Sequence, residues 1–330
     1  MDRIIKAKIT GLGSFHPSRL LTNADFERMV DTSDEWITTR TGIKERWVCG
    51  EGESNSDMAA GAGRKAMEMA GVKPEEIDLL LIGTVTPDRR LPSTGCLVQE
   101  KLGLTNAAAL DIVAACAGFL HGLSMADAYI KSGQYKKIMV IGSEKLSSIT
   151  DYTDRGTCVL FGDGAGAAIV EPSNDDSGIL STFIKSDGRY AELLWIPDGG
   201  SNSPAHKINS LNGHHFDIMM DGSKVMKHAV RQMADASNRV IAAANLTPDD
   251  VTLMVPHQAN IRILKSTAQR LGIPEERVFV NIEKYGNTSS ASVPIALEEA
   301  VATGRVKKND IILMTAFGGG LTWAAALVKW

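Results

Sequence analysis

Apolar and polar residues follow two rhythms along the 330-residue chain, and their succession predicts an α/β protein. Short unbroken apolar runs predict strands at residues 3–9, 77–83, 137–142 and 165–170, and a further buried strand at 107–115. Between them, apolar residues recur three and four apart. That spacing predicts helices over 58–70, stopped by Gly71, over 92–102, stopped by Gly103, and from Cys116 to Gly133. In the last of these, Phe119, Leu120, Leu123, Ala126 and Ile130 mark the packed face. Asn23 and Ser33 read as caps of two short helices. Gly11, Gly13 and Pro17 predict a loop after the first strand. Residues 187–215, rich in Gly, Asn and Ser, predict a long surface loop.

The pattern repeats. Val72-Lys73-Pro74-Glu75-Glu76-Ile77 matches Leu246-Thr247-Pro248-Asp249-Asp250-Val251, and Phe161-Gly162-Asp163-Gly164 matches Phe317-Gly318-Gly319-Gly320. Two related halves, 1–172 and 173–330, are the economical reading. Aligning the helix from Cys116 to Gly133 on the stretch from Asn287 to Gly304 keeps one offset at both ends (287 − 116 and 304 − 133 both give 171), which makes Cys116 and Asn287 equivalent. A second offset (248 − 74 and 257 − 83 both give 174) pairs Gly83 with His257, just past a buried strand. A helix over 258–271 follows.

Charge and composition narrow the classes. Hydrophobic content of 44% and a net charge of −4 suit a globular enzyme and supply no general attraction to nucleic acid or anionic membrane. No apolar run approaches the roughly 20 residues of a membrane span. Charges interrupt the apolar residues of Met1–Lys8, unlike a secretion signal. Cys49, Cys96, Cys116 and Cys158 show no CxxC spacing, which fits a reducing cytoplasm better than a disulfide framework. His214-His215 lack a Cys or Glu at ligand spacing, so no metal is expected.

Candidate chemistry gathers where strands turn into helices. Cys116 stands at such a point, beside helix N–H groups that favour a thiolate, with Ala115, Ala117 and Gly118 leaving room around the sulfur. A cysteine among alanines is, alone, more often a small buried hydrophobe. His257 and Asn287 at related strand-to-helix points change that balance, because ligands of α/β sheets bind beyond strand carboxyl ends. Gly318-Gly319-Gly320 permits the close backbone approach an oxyanion hole needs. A loose GxGxxA at residues 61–66 lies inside a helical pattern, not after a strand, which argues against a dinucleotide enzyme.

Asp111 to Phe119, Val255-Pro256-His257-Gln258-Ala259-Asn260, Tyr285-Gly286-Asn287-Thr288-Ser289 and Phe317-Gly318-Gly319-Gly320 together resemble the thiolase-fold condensing enzymes, specifically the 3-oxoacyl-[acyl-carrier-protein] synthase III family. The resemblance runs essentially end to end. In the related classes, elongating synthases pair Cys with two His and thiolases use a second Cys, so Asn287 points to the initiating class. The fold implied is two pseudo-twofold halves in α-β-α-β-α layers. The activity implied is acylation of Cys116 by a short acyl-CoA, then decarboxylative condensation with malonyl-acyl carrier protein, His257 and Asn287 holding the enolate and the N–H groups of Cys116 and Gly319 holding the oxyanion. The resemblance places Trp36, Arg40, Arg155 and Asn260 along the CoA path, and Leu91 as an acyl-pocket gate lent across a homodimer. It implies no metal or redox cofactor and an acidic carrier protein as partner. Lys224, Lys227 and Arg231, and Arg262 with Lys265, form basic helix faces, of which Lys227, Arg262 and Lys265 are the expected dock. A non-catalytic subunit of the same fold would lack the nucleophile. The alternative activity is a starter-unit ketosynthase or acyltransferase of a secondary-metabolite pathway.

Overall fold

The computed structural model describes residues 6–205 and 216–330. The first half runs β1 (Ala7–Phe15), β2 (Arg19–Thr22), α1 (Asn23–Glu27), α2 (Asp34–Thr41), β3 (Glu45–Val48) and α3 (Asn55–Ala70). It continues with β4 (Leu79–Gly83), α4 (Thr94–Leu102), β5 (Ala108–Ile112), α5 (Gly118–Ser132), β6 (Ile138–Glu144) and β7 (Gly164–Pro172). The second half runs β8 (Gly178–Ser186), β9 (Leu194–Trp195), β10 (Met219–Met220), α6 (Gly222–Ala243) and β11 (Leu253–Pro256). It ends with α7 (Ile261–Leu271), α8 (Ile282–Tyr285), α9 (Ser292–Ala302), β12 (Ile311–Gly318) and β13 (Thr322–Lys329).

The two main sheets repeat one topology. The first has the order β1-β7-β6-β4-β5 and the second β8-β13-β12-β11, with two antiparallel pairings followed by a parallel one in each. Where the first sheet adds β5, the second has a single parallel bridge from Met254 to Val278. α5 and α9 lie between the sheets. They share one core, in which Phe119, Leu120 and Leu123 meet Val293, Ala296 and Leu297 between the inward residues of both sheets. Helices α3 and α4 cover the outer face of the first sheet, and α6 and α7 that of the second. The result is the expected α-β-α-β-α layering. α5 touches sheet on both sides, so its apolar residues wrap around it; α7 touches one side and keeps a single apolar face.

Several expectations need correction. Gly11 and Gly13 lie inside β1, not in a loop: they let α3 approach, since a Cβ on Gly11 would stand 2.2 Å from the Ala66 carbonyl and one on Gly13 2.3 Å from that of Ala62. α1 is capped by Thr22, while Asn23 is buried and donates to the Ile43 carbonyl. The run at 107–115 yields only the five-residue β5, a half-exposed edge strand and not a buried one. The helix expected from Gln258 begins at Ile261, because Asn260 caps it. The glycines of residues 61–66 sit within α3; a Cβ on Gly61 would meet Phe15 at 2.4 Å, so that glycine serves packing. Finally, the 171 offset misaligns the helix starts. Turns Ala115–Ala117 and Ser289–Ala291 precede α5 and α9, and both open on a positive φ, 45° at Ala115 and 49° at Ser289. The partner of Cys116 is therefore Ser290, at the 174 offset, because α9 is shorter than α5 and absorbs the difference at its far end. Asn287 stands before its turn.

Of the loop at residues 187–215, the described part contains a 3-10 segment, Gly188–Leu193, and the short β9; His214-His215 lies outside the described residues. Among the described residues no helix is long and apolar enough to cross a membrane.

Candidate active site

Cys116 lies on the turn between β5 and α5, pressed against the last residues of β12. A Cβ on Gly318 would stand 2.5 Å from the Cys116 nitrogen, so only glycine lets the two backbones come together. His257 follows β11, and its backbone N–H donates to the Thr315 carbonyl at 2.8 Å. Its Nδ1 is 2.6 Å from the hydroxyl of Ser292, the first residue of α9. That hydroxyl also accepts the Gln258 N–H at 3.3 Å. When that hydroxyl donates to Nδ1, the ring hydrogen of His257 sits on Nε2. Asn287 is tied to the first half: its N–H donates to the Leu160 carbonyl at 2.8 Å and its carbonyl accepts the Gly162 N–H at 3.0 Å. Its side-chain Oδ1 accepts the Ser289 N–H at 2.9 Å, which turns the donating NH2 end outward.

Cys116, His257, Asn287 and Gly319 line one cavity of about 710 Å³. Leu194, Ile196, Met220, Met226, Met233 and Phe317 supply apolar walls, and Trp36, Arg40, Asn260 and Arg262 also border it. The cavity is thus apolar with a few convergent polar groups, the usual form of a small-molecule site.

Burial dominates the electrostatics. It pushes the Cys116 thiol up to about 12; Ser289 opposes the shift, and the charge of Glu144 adds to it. Desolvation thus works against the thiolate that the helix N-terminus favours. Burial also pushes His257 down to about 3, so the imidazole is neutral. A buried pair of neutral groups costs less than a buried ion pair without further partners.

The remaining expected residues divide by location. Arg40 and Arg155 both lie over the Trp36 ring, at 4.8 and 5.0 Å from its centroid. Arg155 also donates to the Asp31 carbonyl at 2.7 Å. Asn260 spends its side chain on capping α7, accepting the Arg262 N–H. Lys227 is exposed on α6; Arg262 and Lys265 are exposed on α7, Lys265 paired with Glu275 at 2.8 Å. Leu91 is 86% exposed and is not among the residues lining the cavity of its own chain. Sequence reasoning missed Ser292 and Glu144. The only signal for Glu144 is a lone acid ending an apolar strand.

Two stacked α/β halves, with a cysteine at one strand-to-helix turn and hydrogen-bond donors from the other half around it, define a thiolase-fold acyltransferase. Comparison with known proteins gives the particular family. Family models described as 3-oxoacyl-[acyl-carrier-protein (ACP)] synthase III and its C-terminal part match residues 110–188 and 241–330. The beta-ketoacyl-[acyl-carrier-protein] synthase III of Caldanaerobacter subterraneus subsp. tengcongensis is 49% identical over 99% of this chain and 98% of its own. The crystal structure of 3-oxoacyl-[acyl-carrier-protein] synthase III from Aquifex aeolicus matches with a TM-score of 0.92 and 50% identity, covering 98% of this chain and 100% of that one. The priming beta-ketosynthase of the R1128 polyketide biosynthetic pathway also matches with a TM-score of 0.92, at 36% identity, over 100% of this chain and 98% of that one. The chain belongs to the 3-oxoacyl-[acyl-carrier-protein] synthase III family.

Proposed function

We propose that this protein starts fatty acid chains: Cys116 takes the acyl group of a short acyl-CoA, and the acyl-enzyme then condenses with malonyl-acyl carrier protein to give 3-oxoacyl-acyl carrier protein. The observation that carries this reading is the convergence of Cys116, His257, Asn287 and Gly319 on one apolar cavity. The Cys116 sulfur attacks the thioester carbonyl, and the N–H groups of Cys116 and Gly319 receive the oxyanion. Loss of CO2 from the malonyl group then builds charge on its thioester oxygen. His257 Nε2–H and the Asn287 amide donate to that oxygen, a role supported by the Ser292 hydroxyl at His257 Nδ1, which leaves Nε2 to the cavity, and by the Oδ1 anchor at Ser289. These side chains and the two thioesters suffice; no metal or redox cofactor takes part. The 36% identity to the priming polyketide ketosynthase falls inside the 29–50% found for solved synthases III, and the fatty acid reading is supported by the curated relatives at 47–50%.

Trp36, Arg40, Arg155 and Asn260 would receive CoA. With both guanidinium groups already against Trp36, an adenine entering between Trp36 and Arg155 displaces the latter. Lys227, Arg262 and Lys265 would dock the acidic carrier protein. The protein would act as a homodimer in the cytoplasm. Support comes from the unpaired edge of β5 and from Val113 and Leu91, 79% and 86% exposed, which a second subunit would cover. Leu91 would then gate the partner's acyl pocket.

The test uses radiolabelled acetyl-CoA, with protein-bound label and released CO2 read separately. Cys116→Ala should lose all bound label while still decarboxylating malonyl-carrier protein. Asn287→Ala and His257→Ala should keep the label and lose decarboxylation by about 10²–10³, as for one preorganised oxyanion donor. An Asn287→Ala enzyme that decarboxylates at the parent rate would overturn its assignment to the enolate.

A further inference from the structure

The Asn287 amide can receive charge only if its NH2 end stays turned to the cavity, and a side chain free to rotate would lose that geometry. The main chain of Asn287 is fixed to the first half through Leu160 and Gly162. Its side chain is fixed by the Ser289 N–H, which donates to Oδ1 at 2.9 Å. An N–H can pair only with the oxygen end of the amide, so the position of Ser289 sets the direction of the NH2 group.

Ser289 is itself in need of support. Its φ is 49°, in the left-handed region that residues with a Cβ avoid, and such a conformation persists only where the surroundings impose it. Thr288, Ser289 and Ser290 are all buried. The hydroxyls of Thr288 and Ser290 have no hydrogen-bond partner, whereas that of Ser289 donates to Glu144 Oε1 at 3.2 Å.

Glu144 ends β6, in the first half, and is fully buried. Its carboxyl is a fixed post. Oε2 accepts from the Thr86 hydroxyl at 2.6 Å and from that of Thr84 at 3.2 Å, and the Val85 N–H reaches both oxygens at 3.1 and 3.2 Å. The Thr86 hydroxyl accepts the Lys145 N–H at 2.8 Å, which leaves its own proton for the carboxylate. Among the described residues no basic side chain pairs with Glu144; the Lys145 ammonium donates instead to the Glu53 carbonyl at 2.7 Å. Burial without a cation pushes the carboxyl up to about 7, a cost that packing alone does not require.

We propose that Glu144 is a positioning residue for decarboxylation: through Ser289 it holds the Asn287 amide towards the malonyl thioester oxygen. This rests on Asn287 donating to the enolate. The path is short, from carboxylate to the Ser289 hydroxyl, then from the N–H of the same residue to Asn287 Oδ1. It crosses from the first half to the second, so the half that carries the nucleophile also sets a donor of the other. No proton moves along it. Its effect is selective, because it supports a donor that matters when charge builds on the malonyl oxygen and not when the acyl group reaches Cys116.

The experiment separates the two half-reactions. The enzyme is acylated with radiolabelled acetyl-CoA to equal occupancy and then mixed with malonyl-carrier protein, and CO2 release is followed in a single turnover over a range of carrier concentrations. Ser289→Ala removes the hydroxyl and keeps the N–H. Its CO2 release should fall about tenfold at saturating carrier, the worth of one such hydrogen bond, with the half-saturating concentration unchanged. Glu144→Gln should fall in the same sense, because its NH2 group replaces an oxygen surrounded by donors. The decisive measurement is the double variant. In an Asn287→Ala background, Ser289→Ala should cost nothing further, since residues that act through one another are not additive. A loss that persists in that background places the action of Ser289 elsewhere and overturns the proposal. Parental CO2 release in Ser289→Ala or in Glu144→Gln overturns it as well. Equal falls in acylation and CO2 release, with a lower unfolding temperature, would make Glu144 structural only and also overturn it. If Glu144→Gln fails to fold, Ser289→Ala and its double variant decide. An Asn287→Ala enzyme that decarboxylates at the parent rate would instead refute the enolate assignment itself.

Discussion

The two halves build the same corner and put different chemistry on it. In the first, β4 ends at Gly83 and the turn before α5 presents Cys116. In the second, β11 is followed by His257, and the matching turn before α9 presents Ser290 where the nucleophile would be. One half thus carries the group that must lose a proton and the other a group that keeps one. The same force acts in both, since burial pushes the Cys116 thiol up and His257 down, each towards its neutral form. The comparison teaches that the repeat supplies position, while charge state is decided by what each corner packs against.

The largest expected effect comes from forcing the halves apart. Gly318→Ala would put a Cβ 2.5 Å from the Cys116 nitrogen, backbone against backbone. We expect destabilisation of about 1–3 kcal/mol by overpacking and loss of acyl-enzyme formation, read by thermal unfolding and by label. Retention of full acylation would show that the nucleophile turn tolerates displacement. Next, Ser292→Ala removes the hydroxyl that holds His257 at Nδ1. Decarboxylation should fall by up to about tenfold, the worth of one such hydrogen bond, while Cys116 labelling holds; a fall in labelling alone would assign His257 to the thiol proton after all. A smaller effect is expected from Arg262→Glu at the cavity mouth. The malonyl-carrier step should slow severalfold and lose its salt dependence, since exposed charges act through screened attraction, and the acyl-CoA step should not change. A fall in both half-reactions together would remove Arg262 from the dock. The smallest effect belongs to Leu91→Trp. Longer acyl-CoAs should lose rate relative to acetyl-CoA in the assembled dimer, and equal loss for all starters, or a monomer by sedimentation, would end the gate assignment.

Much of the frame was legible because it is periodic. The helical stripe ending at Gly133, the run that became β4 and the matched Pro74 and Pro248 segments all found their places. Cys116 and His257 were legible because each interrupts a regular pattern at its end. What failed was whatever depends on a neighbour in space. The alanine-rich run around β5 has no alternation to betray that one edge is open, and Gly11 and Gly13 resembled a loop until α3 was seen to press on them. Asn287 was found for a wrong reason, as the partner of Cys116, since an offset measured at the far end of α9 was carried to its start. Ser292 and Glu144 left no periodic trace: one hydroxyl in a helix and one acid ending a strand acquire meaning only from His257 and Ser289 across the fold.

The meeting of the two turns has a consequence for anyone redesigning the enzyme. Gly83 and Gly118 touch, and a Cβ on Gly142 would stand 2.2 Å from the Ser290 carbonyl oxygen. The cavity is backed by a layer packed largely main chain on main chain, with the Ser290 hydroxyl among it. Its walls are different: Leu194, Ile196, Met220, Met226 and Met233 are side chains that can be exchanged for larger or smaller ones without moving the backbone beneath. A library aimed at new starter groups should vary the walls and leave the layer behind them as it stands.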